Sequence, residues 1–311
     1  MAKCLVLGAN GFLGSHLVDS LAERGHQIRA FDRFGGDIQN FVSNPNIEIV
    51  AGDFLNRNDL AGALAGVEYV FHFISTTTPA SAENDPLIDI ETNVRMSVEL
   101  FQEAVAAGVK KVIFSSTGGA IYGDVEGEEA LSESTLAQPV SPYAIGKLTI
   151  EHYLRYFKTK HGLDSVVFRI SNPYGERQSL ASRQGVIPIF LQHIYKNEPI
   201  TVLGDGTMVR DYLHVKDVAE LISQAFEKAS QPLYNLGSGV GVSVNELVDV
   251  IKKVTGKEVS VENQPKPSTF VQHVVLDTAR FKNEFGVEPA VGLEEGIAKT
   301  WHYVMENSER R

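Results

Sequence analysis

The sequence predicts an α/β protein in which a doubly wound parallel sheet is joined to a second, smaller α/β lobe. Through the first half of the chain, short β-branched segments alternate with amphipathic ones, and right-handed crossovers place the intervening helices on the faces of a parallel sheet. After Ser171 proline and glycine become frequent, which indicates a change of architecture. The expected boundaries are 1–171 for the first domain, with 211–237 returning to it, and mainly 172–311 for the second.

The elements follow from apolar periodicity and from glycines such as Gly162 just past the helix ends, where a left-handed C-cap is favourable. The strands predicted in the first domain are Cys4–Leu7, Gln27–Phe31, Ile47–Val50, Tyr69–Ile74, Lys111–Ser115 and Ser165–Ile170. The helices predicted between them are Phe12–Arg24, Asn58–Ala65, Pro86–Ala107 and Pro142–Lys160. Further helices are predicted at Val186–Lys196, Val215–Ala229, Val244–Thr255 and Thr278–Phe285.

Composition excludes several classes of function. The chain has 311 residues with 28 Lys and Arg against 39 Asp and Glu, and its formal net charge of −11 disfavours a nucleic-acid partner. No apolar run reaches the roughly 18 residues of a membrane span, and the opening apolar run breaks at Gly8, so we expect a cytoplasmic protein. Cys4 is the single cysteine, which leaves no internal disulfide and no Cys-rich metal site, and no metal is predicted.

The first strand leads into a glycine-rich turn and a helix, Gly8-Ala9-Asn10-Gly11-Phe12-Leu13-Gly14. Gly8 permits a tight turn, Gly11 lets the backbone approach a pyrophosphate, and Gly14 lets the helix pack close to the strand. Because the turn follows a strand and opens a helix, it predicts a dinucleotide-binding loop. The expected cofactor contacts in it are Gly8, Gly11, Phe12, Leu13 and Gly14.

An acidic residue, Asp32, ends the second strand, at the distance from the loop that dinucleotide binding requires. A carboxylate there accepts hydrogen bonds from ribose hydroxyls and repels the 2′-phosphate of NADP, so NAD is the expected cofactor. Asp53 and Phe54, just past the third strand, are candidate contacts near the adenine. A turn role accounts for Asp53 nearly as well.

Tyr143 and Lys147 stand four residues apart at the start of a predicted helix, which places them on one face. A phenol with a pKa of about 10 is a poor base at neutral pH, but a neighbouring ammonium favours the phenolate and lowers that pKa. Ser115, Ser116 and Thr117 end the preceding strand, at the edge where open α/β sheets bind ligands. The set predicts a site that moves a hydroxyl proton.

The segments Gly8–Gly14, Ser115–Gly123 and Tyr143–Lys147 resemble the extended short-chain dehydrogenase/reductase family, and within it the nucleotide-sugar 4-epimerases typified by UDP-glucose 4-epimerase. The resemblance continues through Arg169–Gln178, Gly204–Tyr212 and Tyr234–Gly239, and so covers nearly the whole chain. It implies an NAD-binding Rossmann domain and a lobe that binds a nucleotide-diphosphate sugar, with UDP as the expected nucleotide. It also implies a homodimer formed through the helices Pro86–Ala107 and Pro142–Lys160.

The resemblance implies that Tyr143 is the catalytic base, that Lys147 binds the nicotinamide ribose and tunes the tyrosine, and that Thr117 supplies the orienting hydroxyl. Ser116 stays open as the alternative to Thr117, because the segment up to Tyr122 is one residue longer than the commoner spacing. All three hydroxyl-bearing residues, Ser116, Thr117 and Tyr143, are then expected to contact the substrate.

Two further substrate contacts are implied. Asn172 would contact the sugar diphosphate, and Arg210 the diphosphate or the nucleotide. On the residues alone, Asn172 could instead cap a turn before Pro173, and Arg210 could pair with the neighbouring Asp211 at the surface.

The sequence departs from the family pattern in three places. His72–Thr77 is bulkier and more hydroxylated than the usual loop, with His72 itself expected to be a packed strand residue. Met208 replaces a usual Gln, and Pro267 and Phe270 stand where relatives place an Arg and an Asp, leaving Lys266 as a point-charge substitute. The identity of the sugar and of the nucleotide therefore stays open.

Gly118 and Gly119 stand where the dehydratases of the family place Asp and Glu, which disfavours dehydration. Epimerisation is the favoured reaction: Tyr143 removes the 4-hydroxyl proton while hydride leaves C4 for NAD⁺, and the hydride later returns to the opposite face. NAD(P)H-dependent reduction of a 4-keto sugar is the alternative. A non-catalytic NAD-sensing protein is the second alternative, against which the intact Thr117, Tyr143 and Lys147 set argues.

Overall fold

The computed structural model describes residues 1–35, 39–125, 130–179, 184–266 and 271–308. The strands in chain order are β1 (Lys3–Leu7), β2 (Gln27–Asp32), β3 (Ile47–Ala51), β4 (Tyr69–His72), β5 (Lys111–Thr117), β6 (Asp164–Ile170), β7 (Asn172–Tyr174), β8 (Ile200–Leu203), β9 (Val209–His214), β10 (Leu233–Leu236), β11 (Gly241–Ser243), β12 (Val261–Gln264) and β13 (His273–Val274). The helices are α1 (Phe12–Glu23), α2 (Arg57–Leu64), α3 (Pro79–Asn84), α4 (Pro86–Asp89), α5 (Arg95–Ala106), α6 (Pro142–His161), α7 (Val186–Tyr195), α8 (Val215–Ala225), α9 (Val244–Thr255), α10 (Ala279–Phe285) and α11 (Leu293–Ser308).

Seven strands form one sheet in the order β10-β6-β5-β4-β1-β2-β3. The β1–β2, β2–β3, β1–β4 and β4–β5 pairs are parallel, as helical crossovers require. The prediction of a doubly wound parallel sheet is confirmed. The chain runs from β1 outward to β2 and β3 and then returns to β4 on the other side of β1. The carboxyl end of β1 is therefore the switch point at which sheets of this kind bind ligands.

The chain divides into two compact units. The first comprises residues 1–117, 139–169 and 219–234, and the second comprises 118–138, 170–218 and 235–311. In the second unit, β9 pairs with β11, β13 and β7, while β8 pairs with β12. The functional assignments predicted for 1–171 and 172–311 stay predictions.

Each unit has its own apolar core. In the first, side chains from the sheet such as Leu7, Phe31 and Phe114 are fully buried against Leu100 and Phe101 of α5. A core of the second unit is built from α7, β8, β9, α9 and α11, and includes Leu191, Ile200, Leu247, Ile251 and Ile297. Each such side chain contributes about 1.5–3 kcal/mol through burial. None of the helices in the described ranges has the length and apolar character needed to cross a membrane.

The predicted helix Pro86–Ala107 is not continuous. A π-helical turn, Ile90–Val94, separates α4 from α5. Asn93 on this turn donates through Nδ2 to Oδ1 of Asp89, the last residue of α4, at 2.8 Å. A π-helical turn changes which side chains face the interior, and it occurs frequently at functional sites.

Two helices were not predicted from the sequence. Helix α3 begins with a capping box formed by Thr78 and Ser81, with Pro79 at its first position. Helix α11 contains Gly296 at a point where an added Cβ would lie 2.2 Å from the hydroxyl oxygen of Tyr174. That glycine lets the C-terminal helix pack closely within the second unit.

Candidate active site

The glycine-rich turn lies at the carboxyl end of β1. Gly8 has a φ of +83°, its N–H donates to the carbonyl of Phe31 at 3.0 Å, and its own carbonyl accepts from the N–H of Gly11 at 3.0 Å. Gly11 is the N-cap of α1, and no side-chain cap hydrogen bond is made there by the described residues, which leaves first-turn N–H groups for a ligand. Such a helix N-terminus is an anion site.

Gly14 determines how closely the helix approaches this turn. An added Cβ at Gly14 would lie 2.0 Å from the carbonyl oxygen of Gly8, and one at Gly11 would lie 3.2 Å from the same oxygen. A side chain at Gly14 would displace the turn, whereas one at Gly11 would require a shift of only a few tenths of an ångström. The geometry of the turn and the bare helix N-terminus fit the pyrophosphate of a dinucleotide, with Gly11, Phe12, Leu13 and Gly14 as the residues that would hold it.

Asp32 ends β2 beside the turn and is half-buried. Its Oδ2 accepts from the N–H of Asn10 at 3.0 Å and its Oδ1 from the N–H of Arg33 at 2.8 Å. The carboxylate thus supports the loop at the position where the ribose of a dinucleotide is expected.

Asp53 and Phe54 differ from each other in the structure. Asp53 is exposed, and its Oδ1 accepts from the N–H of Leu55 at 2.9 Å, which is the turn interaction that the sequence analysis left open. The Phe54 side chain is 1% exposed and belongs to the core of the first unit. Any cofactor contact by Phe54 would therefore have to come from its main chain.

Tyr143 and Lys147 lie in the first turns of α6, whose N-cap Ser141 accepts from the N–H of Ala144 at 3.3 Å. Lys147 is buried, and its Nζ donates to the carbonyl of Ser115 at 2.9 Å. The same Nζ is 5.7 Å from the centre of the Tyr143 ring. The predicted i,i+4 pair is therefore fixed to the end of β5.

Burial dominates the electrostatics of this pair. It raises the pKa of Tyr143 to about 12, with the carboxylate of Asp89 adding to the increase. Burial also lowers the pKa of Lys147 to about 8, against the opposing influence of Asp89 and Glu151. The pKa of Tyr143 therefore lies above its ordinary value and not below it as expected, because burial removes the phenolate from water.

The two candidate hydroxyls at the end of β5 have different surroundings. Ser116 Oγ donates to Glu151, whose carboxylate also forms a buried ion pair with Arg169, with Nη2 2.7 Å from Oε2. Within the described residues, no hydrogen bond involves the hydroxyl of Thr117, which is half-buried. This arrangement favours Thr117 over Ser116 as the orienting hydroxyl.

Asn172 and Arg210 both belong to the second unit. Asn172 Nδ2 donates to the carbonyl of Asp211 at 3.0 Å, and its Oδ1 would lie 3.1 Å from a Cβ added at Gly119. Asn172 starts β7 and does not cap a turn before Pro173, so that alternative is wrong.

Arg210 does not pair with Asp211, and the surface-pair alternative is also wrong. Asp211 is fully buried and accepts from the N–H groups of Ser238, Gly239 and Leu276. The Arg210 guanidinium instead donates to the carbonyls of Val209 at 2.8 Å and Val271 at 2.6 Å. Burial lowers its pKa, and no carboxylate forms an ion pair with it among the described residues.

The departures from the family pattern are partly visible. His72 is fully buried, its Nε2 is 2.7 Å from Ser97 Oγ, and burial lowers its pKa to about 3, so it is a neutral packed residue. Met208 lies in the core of the second unit. Lys266 is exposed and its Nζ donates to Gln272 Oε1 at 3.0 Å. Pro267 and Phe270 lie outside the described residues.

Three residues beside the candidate catalytic pair were not predicted from the sequence. Asp89, Asn93 and Gly146 line a cavity of about 10 Å³ together with His72, Ile74, Tyr143, Lys147 and Ile150. A cavity of this size holds about one water molecule. A continuous helix was predicted over Pro86–Ala107, and the π-helical turn that follows Asp89 was not foreseen.

Comparison with known proteins gives the family. Residues 4–237 match the NAD dependent epimerase/dehydratase family. The UDP-glucose 4-epimerase of Mycolicibacterium smegmatis is 34% identical over 318 residues, which cover 99% of this chain and 100% of that protein. The UDP-glucose 4-epimerase of Thermotoga maritima, solved with UDP-glucose, has a TM-score of 0.91 at 35% identity, covering 98% of this chain and 99% of that one. That of Thermus thermophilus, solved with NAD, has a TM-score of 0.89 at 31% identity, covering 98% and 99%.

The chain therefore belongs to the NAD-dependent epimerase/dehydratase family of extended short-chain dehydrogenases/reductases. It is an enzyme of that family, and its cofactor is NAD. Because the family contains both epimerases and dehydratases, membership leaves the reaction and the substrate to be argued from the site.

Proposed function

We propose that the enzyme is a nucleotide-sugar 4-epimerase that acts on a UDP-sugar. The observation that carries the proposal is the Tyr143–Lys147 pair, anchored through Lys147 Nζ to the carbonyl of Ser115 at 2.9 Å, in the same unit as the dinucleotide loop. The relatives named above, which are UDP-glucose 4-epimerases, support the choice of a UDP-sugar.

Tyr143 is the residue that moves the proton. In the oxidation step its phenolate takes the proton of the C4 hydroxyl, and in the return step its hydroxyl gives a proton back to the sugar oxygen. NAD⁺, when bound, would supply the hydride acceptor and a positive charge that favours the phenolate. A favourable charge is needed because burial raises the pKa of Tyr143 to about 12.

Lys147 and Thr117 support this proton transfer. With a pKa of about 8, Lys147 carries its charge in most molecules at neutral pH and stabilises the phenolate. Its bond to the Ser115 carbonyl fixes the ammonium in position. Thr117 offers a half-buried hydroxyl to orient the C4 oxygen, whereas the Ser116 hydroxyl is occupied by Glu151.

Asn172 and Arg210 are the proposed contacts of the nucleotide diphosphate. The Arg210 guanidinium is half-buried and held by main-chain carbonyls, which orient it without neutralising its charge. Such a preorganised guanidinium suits a phosphate ligand. Gly119 leaves room beside Asn172 Oδ1, and Gly118 and Gly119 supply no acid or base for eliminating water.

The experiment is to incubate the purified protein with separate UDP- and dTDP-sugars, without added reductant, and to follow the stereochemistry at C4. The proposal expects interconversion of 4-epimers with no net consumption of NADH, because the hydride returns to the carbon it left. Consumption of one NADH or NADPH per product with a 4-keto sugar, and no epimerisation, would identify the reductase instead. Binding of NAD with no turnover of any sugar would favour the NAD-sensing alternative.

We also propose that two copies of this chain associate through the segment Pro86–Ala107 and α6. Apolar side chains on these elements are exposed to solvent, among them Leu87, Ile90, Ile145 and Tyr156 with exposed fractions of 65%, 55%, 50% and 46%. An unpartnered apolar surface of this kind favours association. Sedimentation equilibrium is expected to give a dimer, and a monomer at micromolar concentration would contradict the proposal.

A further inference from the structure

We propose that Asp89 is a positioning residue of this site, whose buried carboxylate is the counter-charge of Lys147 and sets the pH range in which the Tyr143–Lys147 pair works. The inference rests on the proposed function, because it takes Tyr143 as the proton-transfer group. It adds a residue that lies outside the glycine-rich turn and outside the Tyr143–Lys147 helix face.

Asp89 is held in place by a polar network within the first unit. It is 3% exposed, and its Oδ1 accepts from Thr77 Oγ1 at 2.5 Å and from Asn93 Nδ2 at 2.8 Å. Asn93 Oδ1 accepts in turn from the N–H of Thr76 at 2.9 Å. The carboxylate therefore joins the loop after β4 to the π-helical turn.

Gly146 is what lets this carboxylate approach α6. A Cβ added at Gly146 would lie 1.9 Å from Asp89 Oδ2, so no other residue fits there while Asp89 keeps its position. Glycine is disfavoured in the interior of a helix, and Gly146 is the residue immediately before Lys147. The close approach of Asp89 accounts for a glycine at this position.

Asp89, Tyr143 and Lys147 line the same cavity of about 10 Å³. The cavity has room for one water molecule with several polar partners. Because Asp89 and Lys147 are both buried beside this cavity, the interaction between carboxylate and ammonium is weakly screened by solvent.

The other charged groups around the pair are already compensated. Glu151 also acts on Lys147, but it is paired with the guanidinium of Arg169. His72 faces Lys147 from β4 and is neutral, because burial lowers its pKa to about 3. Among the described residues, no lysine or arginine lies within ion-pair distance of Asp89. Its negative charge therefore acts on Lys147 and Tyr143, and it raises the pKa of both.

The test is Asp89→Asn, which keeps the shape and an acceptor for Thr77 but removes the charge. Both limbs of the pH profile of kcat/KM for UDP-glucose should move to lower pH by about one pH unit, as expected for one partly screened charge. The melting temperature should stay near that of the wild-type protein. The matched control is Glu91→Gln, which removes an exposed charge two residues along the chain and should leave the profile in place.

A measurement without turnover accompanies the profile. The phenolate absorbance of Tyr143 is obtained by subtracting the pH titration of a Tyr143→Phe variant from that of the protein with Tyr143. In the Asp89→Asn background this absorbance should appear at lower pH. Gly146→Ala provides a second variant, because its Cβ displaces the carboxylate while the charge is retained. Gly146→Ala should move the pH profile in the same direction as Asp89→Asn. If Asp89→Asn does not fold, Gly146→Ala tests the inference in its place.

The outcomes separate this inference from the proposed function. If Tyr143→Phe abolishes turnover while neither Asp89→Asn nor Gly146→Ala moves the profile or the phenolate titration, Asp89 is only a structural residue and the inference is wrong. If Tyr143→Phe turns over UDP-glucose as fast as the wild-type protein, the proposed function itself is wrong.

Discussion

Asp32 Oδ2 accepts a hydrogen bond from the main-chain N–H of Asn10 at 3.0 Å. Asn10 lies in the glycine-rich turn after β1, and Asp32 ends the neighbouring parallel strand. The carboxylate therefore stabilises the shape of the loop and also stands where a ribose hydroxyl is expected. Its two roles make different predictions for the two nicotinamide cofactors.

Replacing Asp32 by Ala is expected to weaken NAD binding by at least about tenfold, because a hydrogen bond to a charged group contributes about 1.5–3 kcal/mol. NADP binding should suffer much less, since the variant also removes the repulsion of the 2′-phosphate. Isothermal titration calorimetry with both cofactors measures this difference. Equal losses for the two would mean that Asp32 supports the turn only. Asp53→Ala is the control, because a contact near the adenine acts equally on NAD and NADP.

Gly14→Ala is expected to destabilise the protein by about 1–3 kcal/mol through overpacking. The added Cβ would lie 2.0 Å from the Gly8 carbonyl oxygen, which is backbone and cannot rotate away. Gly62→Ala in α2 is the matched control, because nothing lies within 4 Å of its added Cβ. The control should stabilise the protein by about 0.5–1 kcal/mol. Urea denaturation of both variants measures the contrast, and a loss of stability of the same size at both positions would contradict it.

Tyr143→Phe keeps the ring but removes the group that takes the proton. Turnover should fall by at least about two orders of magnitude, as general acid–base catalysis contributes roughly 10²–10⁴ in rate. NAD affinity and melting temperature should stay near wild type. Tyr153→Phe on the same helix, where the side chain is 39% exposed, should leave turnover unchanged. Substantial turnover by Tyr143→Phe would remove this tyrosine from the proposed mechanism.

Lys147→Met should abolish most activity and yet stabilise the fold near neutral pH. The pKa of Lys147 falls from 10.5 to about 8 because the ammonium is buried. Between these two pH values the unfolded chain binds more protons than the folded protein, so wild-type stability rises with pH across this window. The variant lacks this titration. After the loss of the hydrogen bond to Ser115 is subtracted, the free energy of unfolding of the variant should exceed that of wild type by about 2 kcal/mol. This difference should be largest below about pH 8 and should shrink as the pH approaches 10.

Denaturation of wild type and Lys147→Met at several pH values checks this sign. If the free energy of unfolding of Lys147→Met, relative to that of wild type, increases with pH, burial does not lower the pKa of Lys147. Lys252→Met, a substitution near the end of α9 in the second unit, serves as a control without a comparable effect on activity.

The sequence by itself determined the features whose cause lies within a few neighbouring residues. Strand, glycine turn and helix succeed one another over Lys3–Gly14, and Asp32 ends the next strand, so loop and acid could be read from spacing. Tyr143 and Lys147 share a face because any helix brings residues four apart together. The alternation of strands and helices predicted the parallel sheet, because crossovers between parallel strands allow few arrangements.

The tertiary structure decided what depends on burial and on partners distant in sequence. The residues near Ser116 and Thr117 in the chain do not indicate that Glu151 accepts a hydrogen bond from the Ser116 hydroxyl and not from the Thr117 hydroxyl. The pKa of Tyr143 rises because burial removes the phenolate from water, and burial is a property of the packed protein. Asp89 reaches α6 only because a π-helical turn follows it and because Gly146, more than fifty residues away, has no side chain to exclude it.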